Sequence, residues 1–348
     1  MLVRELVVIS ATQTSTRRSK MQKIELLKRV SFFFICLLLT LNSAVSAADK
    51  VDICYAGQYY PEEFLLKGNP QFWSKYGLDV EHILFSSAVE NNQALVAGKC
   101  DINCGADIRS VTLFNAMGDK VLIIGTIQRG NRYSTVIGDK AKYKSWEDLK
   151  GKTVATRFGT GAELVLRKFF SQQKGLKWED FKWVNMKIED MPAALKAGSI
   201  EAFTAWEPTP AIAEAQGVGK VMRQYGDVAL MPVFLHTTTD FVKTHRPEVV
   251  KFLAAHLDKA EMIKENPQEA ARLAAKAANA QGYNVSADVF LRLFKRIDFN
   301  LDIDQGVVQA FKDAAQFLYN EKKIDKIPQI KYDASLLEDA KKLKEKTK

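Results

Sequence analysis

The sequence predicts an α/β protein of two lobes joined by a two-segment hinge, with a ligand cleft between them. Three observations carry this expectation. A chain of 348 residues, 47% hydrophobic and 26% charged, can build one large or two medium domains and is neither disordered nor fibrous. Residues 94–107 (ALVAGKCDINCGAD) repeat as residues 194–207 (ALKAGSIEAFTAWE), with Ala94, Leu95, Ala97 and Gly98 falling on Ala194, Leu195, Ala197 and Gly198. Within each copy strands alternate with helices, which calls for parallel sheets with right-handed crossovers.

Residues 1–47 read as an export signal. Lys23, Lys28 and Arg29 precede an apolar run from Phe32 to Leu39, and small residues around Ala44-Val45-Ser46-Ala47 supply a cleavage site. The run is shorter than the ~20 apolar residues a membrane span needs. Residues 1–20 lack the character of a leader, and Met21 opens a signal of ordinary shape, so Met1 and Met21 both stand as starts. Of the 50 basic and 41 acidic residues, seven and two lie in this segment; the net charge of +9 falls to +4 without it. No nucleic-acid partner is expected from that balance.

The exported part keeps Cys54, Cys100 and Cys104, an odd number that excludes a fully paired framework. Cys100 and Cys104, four apart in one strand, would stand ~13 Å from each other. Cys54 with Cys104 is the pairing left to consider, and buried, inert thiols are the simpler reading. The four histidines show no metal-ligand spacing, so neither a metal nor a cofactor is expected.

Lobe 1 is expected over residues 48–135. Each copy of the repeat reads as a helix end, a glycine stop, a short buried strand and a loop carrying an acid. The segment Lys50–Gly57 loosely matches Lys152–Gly159 as the opening strand of each unit. A helical turn at Ser145–Lys152 marks the boundary near residue 136, and lobe 2 runs over 136–230. Residues 231–340 return to lobe 1, through a strand at Val233–Thr239 and then helices with apolar stripes such as Val249-Val250-Phe252-Leu253. Residues 341–348 read as a charged, fraying tail.

Ligands of open α/β sheets bind beyond the carboxyl ends of the strands. Four loops follow: Gln58-Tyr59-Tyr60, Gly105-Ala106-Asp107-Ile108, Thr160-Gly161-Ala162 and Trp206-Glu207-Pro208. Thr160-Gly161-Ala162 opens a helix whose free N–H groups favour an anion or polar oxygen, and Thr160 reads equally as a plain N-cap. Trp206 offers a flat face to a ligand or a wedge to the core. Tyr59 and Tyr60 present hydroxyls to the site or stack on Pro61. Asp107 and Glu207 set two carboxylates near one cleft or cap helices; Arg109, Arg129, Arg132 and Arg157 are the cations available to offset them, Arg129 being counted among the ligand-binding residues.

The twin units, the Ala-Leu-x-Ala-Gly-x-x-Asp segment, the Ser145–Lys152 S-W-E-D-L-K-G-K segment, the Gly159-Thr160-Gly161 turn and the Ala205-Trp206-Glu207-Pro208 loop together resemble one family over residues 49–320. It is the nitrate/sulfonate/taurine and thiamine-precursor group of periplasmic substrate-binding proteins of ABC importers. The resemblance implies the type II binding-protein fold and a monomer in the periplasm. It also implies capture of a small sulfonate- or pyrimidine-like solute, with delivery to an ABC permease and its ATPase. No nucleophile elbow or locally paired histidine points to catalysis. A sensory module handing its liganded form to a membrane receptor is the alternative, with an enzyme on the same fold behind it.

Overall fold

The computed structural model describes residues 52–85 and 88–347; the expected signal segment lies outside them. Eleven strands are described: β1 (Ile53–Gln58), β2 (Val80–Phe85), β3 (Ile102–Ala106), β4 (Val121–Gly130), β5 (Tyr133–Gly138), β6 (Thr153–Thr156), β7 (Lys182–Asn185), β8 (Ala202–Trp206), β9 (Gly219–Gln224), β10 (Val233–Thr238) and β11 (Ile297–Asp298). They form two sheets, ordered β11-β4-β10-β3-β1-β2 and β7-β6-β8-β5-β9. β1 pairs in parallel with β2 and β3, as β6 does with β7 and β8.

The repeat explains this symmetry. Gly98 and Gly198, at φ of 64° and 71°, end equivalent helices in the left-handed region that glycine enters without penalty. The acids that follow do the same work in each copy. Asp101 Oδ2 accepts from the Cys54 backbone N–H at 2.8 Å, and Glu201 Oε2 from that of Thr153 at 2.9 Å. This equivalence sets Cys54 against Thr153, so the expected match of Lys50 with Lys152 is displaced by three residues.

Besides the edge strand β11, which runs antiparallel to β4 in the first sheet, each sheet holds one internal antiparallel strand, β10 between β3 and β4 and β5 between β8 and β9. These internal strands arrive from the other lobe. The chain crosses at Asn131-Arg132, a few residues before the expected boundary near 136, and again over residues 225–232. The two crossings are bonded together: Gly130 N–H donates to Leu230 O at 2.6 Å and Gly226 N–H to Asn131 Oδ1 at 2.8 Å.

After β10 the chain is helical. The helix Thr239–Glu265 is kinked where His245 leaves helical geometry before Pro247, whose ring and missing N–H interrupt the ladder. The alanine-rich helix Pro267–Ala280, capped by Asn266, packs its buried Ala270, Ala271, Ala274 and Ala278 into the core of the first lobe. The expected fraying tail is instead a helix, Ser335–Thr347. Leu336, Leu337 and Ala340 bury one face of it, while Lys341 pairs with Asp302 and Lys344 with Asp258 and Glu261. Its lysines hid a docked stripe because Lys341 and Lys344 flank the buried residues and reach acids of the lobe.

Candidate functional site

A cavity of about 430 Å³ lies between the sheets at the carboxyl ends of their strands. Gln58 and Tyr60 enter from β1, Ala106, Ile108 and Arg109 from β3 and the helix after it, and Arg132 and Tyr133 from the first crossing. Arg157, Thr160 and Gly161 follow β6, Lys187, Ile188 and Glu189 follow β7, and Trp206 ends β8. Ala88 and Val89 complete the wall.

Two helix starts converge here from opposite lobes, Asp107–Met117 and Gly161–Ser171. Thr160 caps the second: its Oγ1 accepts from Ala162 N–H at 3.3 Å and donates to Arg157 O at 2.6 Å. Thr160 is thus an N-cap, and it also lines the cavity. Gly161 is required by closeness, because a Cβ there would stand 2.3 Å from Tyr133 Oη. Gly159, at φ of 70°, supplies the turn and donates its N–H to Glu163 Oε2.

Arg132 is the central cation. It is fully buried, its Nη1 donating to Tyr133 Oη at 3.2 Å and to Met231 O at 3.1 Å, and its guanidinium lies 5.4 Å and 4.9 Å from the ring centres of Tyr60 and Tyr133. Its Nε and the Gln58 Oε1 are buried polar atoms without a protein partner. Such atoms are costly unless something else satisfies them. Burial lowers the Arg109 pKa, and the like charge of Arg157 lowers it further. Arg109, Arg132, Arg157 and Lys187 thus face a single lining carboxylate, Glu189.

The expected pair of acids does not face this space. Glu207 is buried in an ion pair: Arg296 Nη1 donates to its Oε1 at 2.6 Å, and its Oε2 accepts from Ala211 N–H at 3.0 Å, capping the next helix. Asp107 begins its own helix, with Oδ1 accepting from Ile108 N–H at 2.8 Å. Burial raises the Asp107 carboxyl to about 6, against the pull of that N–H and of Arg132. Of the two readings of these acids the helix-end one fits the structure, and the cavity lining is cationic.

Other expected residues also lie off the wall. Arg129 is held by Asp298 and Asp304, both at 2.8 Å, because β11 and the loop after it bring those acids to β4. Tyr59 packs between Phe64 and Tyr283. Gly105 and Ala162 are buried just behind the lining residues. Trp206 joins the two alternatives, packing against the cores of both lobes and facing the cavity. The residues missed are Ala88, Val89 and Lys187–Glu189, which follow β2 and β7 and which the end-of-strand rule, extended to the second strand of each unit, finds, and Tyr133, which starts β5 and which that rule does not reach.

The expected Cys54–Cys104 pairing is overturned. Cys54 lies against Cys100, with 2.6 Å between the sulfurs, while Cys104 sits under Asn91, whose Nδ2 is 3.6 Å from its Sγ. Cys100 precedes β3 and does not share its strand with Cys104.

A family model described as NMT1/THI5 like matches residues 67–270, and the chain belongs to that family. A Brucella abortus protein provisionally named as a binding protein is 24% identical, over 80% of this chain and 82% of its own. A Bacillus subtilis protein provisionally named for binding aliphatic sulfonates is 25% identical, over 73% and 75%. Among solved structures, the periplasmic aliphatic sulphonate binding protein SsuA from Escherichia coli superposes with a TM-score of 0.70 at 19% identity, covering 82% of this chain and 90% of that one. The periplasmic nitrate-binding protein NrtA from Synechocystis PCC 6803 does so at 0.60 and 16%, covering 84% and 88%. Fold, family and interlobe cleft together define a solute-binding receptor of the ABC-importer kind.

Proposed function

We propose that this receptor captures a small organic anion, sulfonate-like at one end and flat or apolar at the other, and presents it to an ABC permease driven by its ATPase. One observation carries the reading: Arg109, Arg132, Arg157 and Lys187 line one cavity, with Glu189 as its one lining carboxylate among the described residues. An anion there relieves the mutual repulsion of the guanidiniums and meets the unpartnered Arg132 Nε. The starts of the helices after β3 and β6 add favourable dipoles. Tyr60, Tyr133 and Trp206 supply aromatic faces for the rest of the ligand. The names of the sulfonate-binding relatives support the same chemistry.

The ligand contacts are then Gln58, Tyr60, Ala106, Arg109, Arg132, Tyr133, Arg157, Thr160, Gly161 and Trp206, with Asp107 acting through its field on Arg132. The protein works in the periplasm as a monomer after its signal segment is removed, and binding, not catalysis, is its task.

Calorimetric titration with alkyl- and arylsulfonates, taurine, nitrate and an aminopyrimidine tests this. Sulfonate binding should weaken at least ten-fold in Arg157→Met, whose side chain is only half-buried. It should tighten as pH falls through about 6, where protonation of Asp107 leaves the charge of Arg132 less opposed. Binding of the aminopyrimidine alone, or affinity for sulfonates that ignores Arg157, would overturn the anionic reading.

A further inference from the structure

The edge of the first lobe carries a second chemical feature, remote from the cavity lining. Cys54 lies in β1 and Cys100 in the turn that enters β3, and the two strands are parallel neighbours in register Tyr55↔Ile102. The backbone is fixed at this point from both sides, since Asp101 N–H donates to Cys54 O at 2.9 Å and Cys54 N–H to Asp101 Oδ2 at 2.8 Å. The sulfurs are in contact. In the second lobe the equivalent places hold Thr153 and Ile200, so the pair belongs to one half of the repeat alone.

We infer that Cys54 and Cys100 form a structural disulfide, closed by thiol–disulfide exchange as the exported chain folds. This rests on the exported, periplasmic reading above, because such bonds persist in oxidising compartments. The oxidant is the disulfide of a dithiol oxidoreductase. One cysteine thiolate attacks it, releasing the first oxidant thiol and leaving a mixed disulfide. The second cysteine thiolate attacks the chain sulfur of that bond and expels the oxidant's other sulfur, so the Cys54–Cys100 bond forms and the oxidant leaves as a dithiol carrying the two electrons. Each chain thiol gives up one proton. Burial raises the pKa of both thiols in the folded protein, which favours closure before the sheet is complete.

The bond closes a loop containing β2 and the helix Ala88–Val96 and ties together the strands that deliver Gln58 and Ala106 to the cavity. Cys104 is excluded from it by its place on the buried side of β3 against Asn91.

The test uses the purified full chain, reduced and then equilibrated in glutathione buffers of rising oxidised fraction, alkylated, digested without reductant and mapped by mass spectrometry. A linked Cys54–Cys100 peptide with Cys104 alkylated as a free thiol is expected. Reductant should lower the melting temperature of the oxidised chain by about 5–10 °C, a shift absent in Cys100→Ala and in Cys54→Ser. Linkage of Cys54 to Cys104 or to Cys36, a glutathione adduct in place of the linked peptide, or free Cys54 and Cys100 at the most oxidising ratio would overturn the assignment. Because the oxidant is added in vitro, export itself is judged separately, by whether the protein recovered from the periplasm of producing cells already carries the bond.

Discussion

The two lobes share a strand order and differ in what they bury beneath it. At equivalent helix starts stand Tyr60 and Thr160. Thr160 caps with its hydroxyl and leaves the backbone of a glycine facing the cavity. Tyr60 makes no cap; Pro61 follows it, removing one N–H, and its ring lies under Arg132. Three residues further, Glu163 is settled locally by Gly159 N–H and Arg167. Its counterparts Glu62 and Glu63 are wholly buried, with Lys259, His82 and His256 in the same interior. Burial pushes Glu62 up to about 8 even though the Lys259 charge pulls it down. Both lobes bury aromatic rings, Trp73 stacking on Phe252 at 5.2 Å in the first, and Trp146 ring centres lying 4.9 Å and 5.0 Å from Phe170 and Phe181 in the second. One backbone plan thus tolerates two apolar cores, one with a cluster of ionisable groups set into it and one built around Trp146.

The sharpest break of that contrast is Lys259→Met. It should cost about 3–5 kcal/mol by urea unfolding above pH 8, where Glu62 is ionised and loses its cation, and Glu62→Gln in the same chain should restore much of the loss. A cost below about 1 kcal/mol would show that the first lobe does not depend on this charge. Trp146→Ala removes the ring contacts and the bond from its Nε1 to Tyr225 Oη, at a cost of about 3 kcal/mol, and should leave the pH dependence of stability unchanged.

The pH profile follows next in size. Burial holds His236 down at about 3 and His256 well below its usual value. The unfolded chain therefore binds protons first, and stability falls as pH drops from 6.5 toward 3, by up to about 1.4 kcal/mol per unit for each histidine. Glu62 has the opposite sign, its contribution being lost as pH rises from 4.5 through about 8. Melting temperatures from pH 4 to 9 should show both limbs, and His236→Gln should flatten the acid one. Smallest is Thr160→Ala, about 1 kcal/mol for a lost cap in the second lobe, with no counterpart in Tyr60→Phe.

The repeat was legible because glycine stops and strand-facing acids are set by local backbone needs, which do not depend on distant partners. From it the parallel strands and four of the cavity loops followed. The strand at Val233–Thr238 was legible, but its antiparallel setting and the strand β5 were not, since each is recruited by the sheet of the opposite lobe. Nor was the fate of Glu207, whose partner Arg296 lies 89 residues along the chain. The cationic wall was visible only as loose arginines, because which of them face inward depends on the crossing at Arg132 and on the acids that claim Arg129. The loops after β2 and β7 escaped because they carry neither glycine nor aromatic signals as distinct as those of their neighbours.

The paired crossings have a mechanical consequence. Two chain segments tied by Gly130 N–H to Leu230 O and by Gly226 N–H to Asn131 Oδ1 resist sliding and splaying, and leave torsion as the soft degree of freedom. Arg132 lies on that ribbon with its guanidinium in the wall of the cavity. Charge arriving at the guanidinium is therefore felt at the axle itself, with the shortest possible lever between binding and rotation.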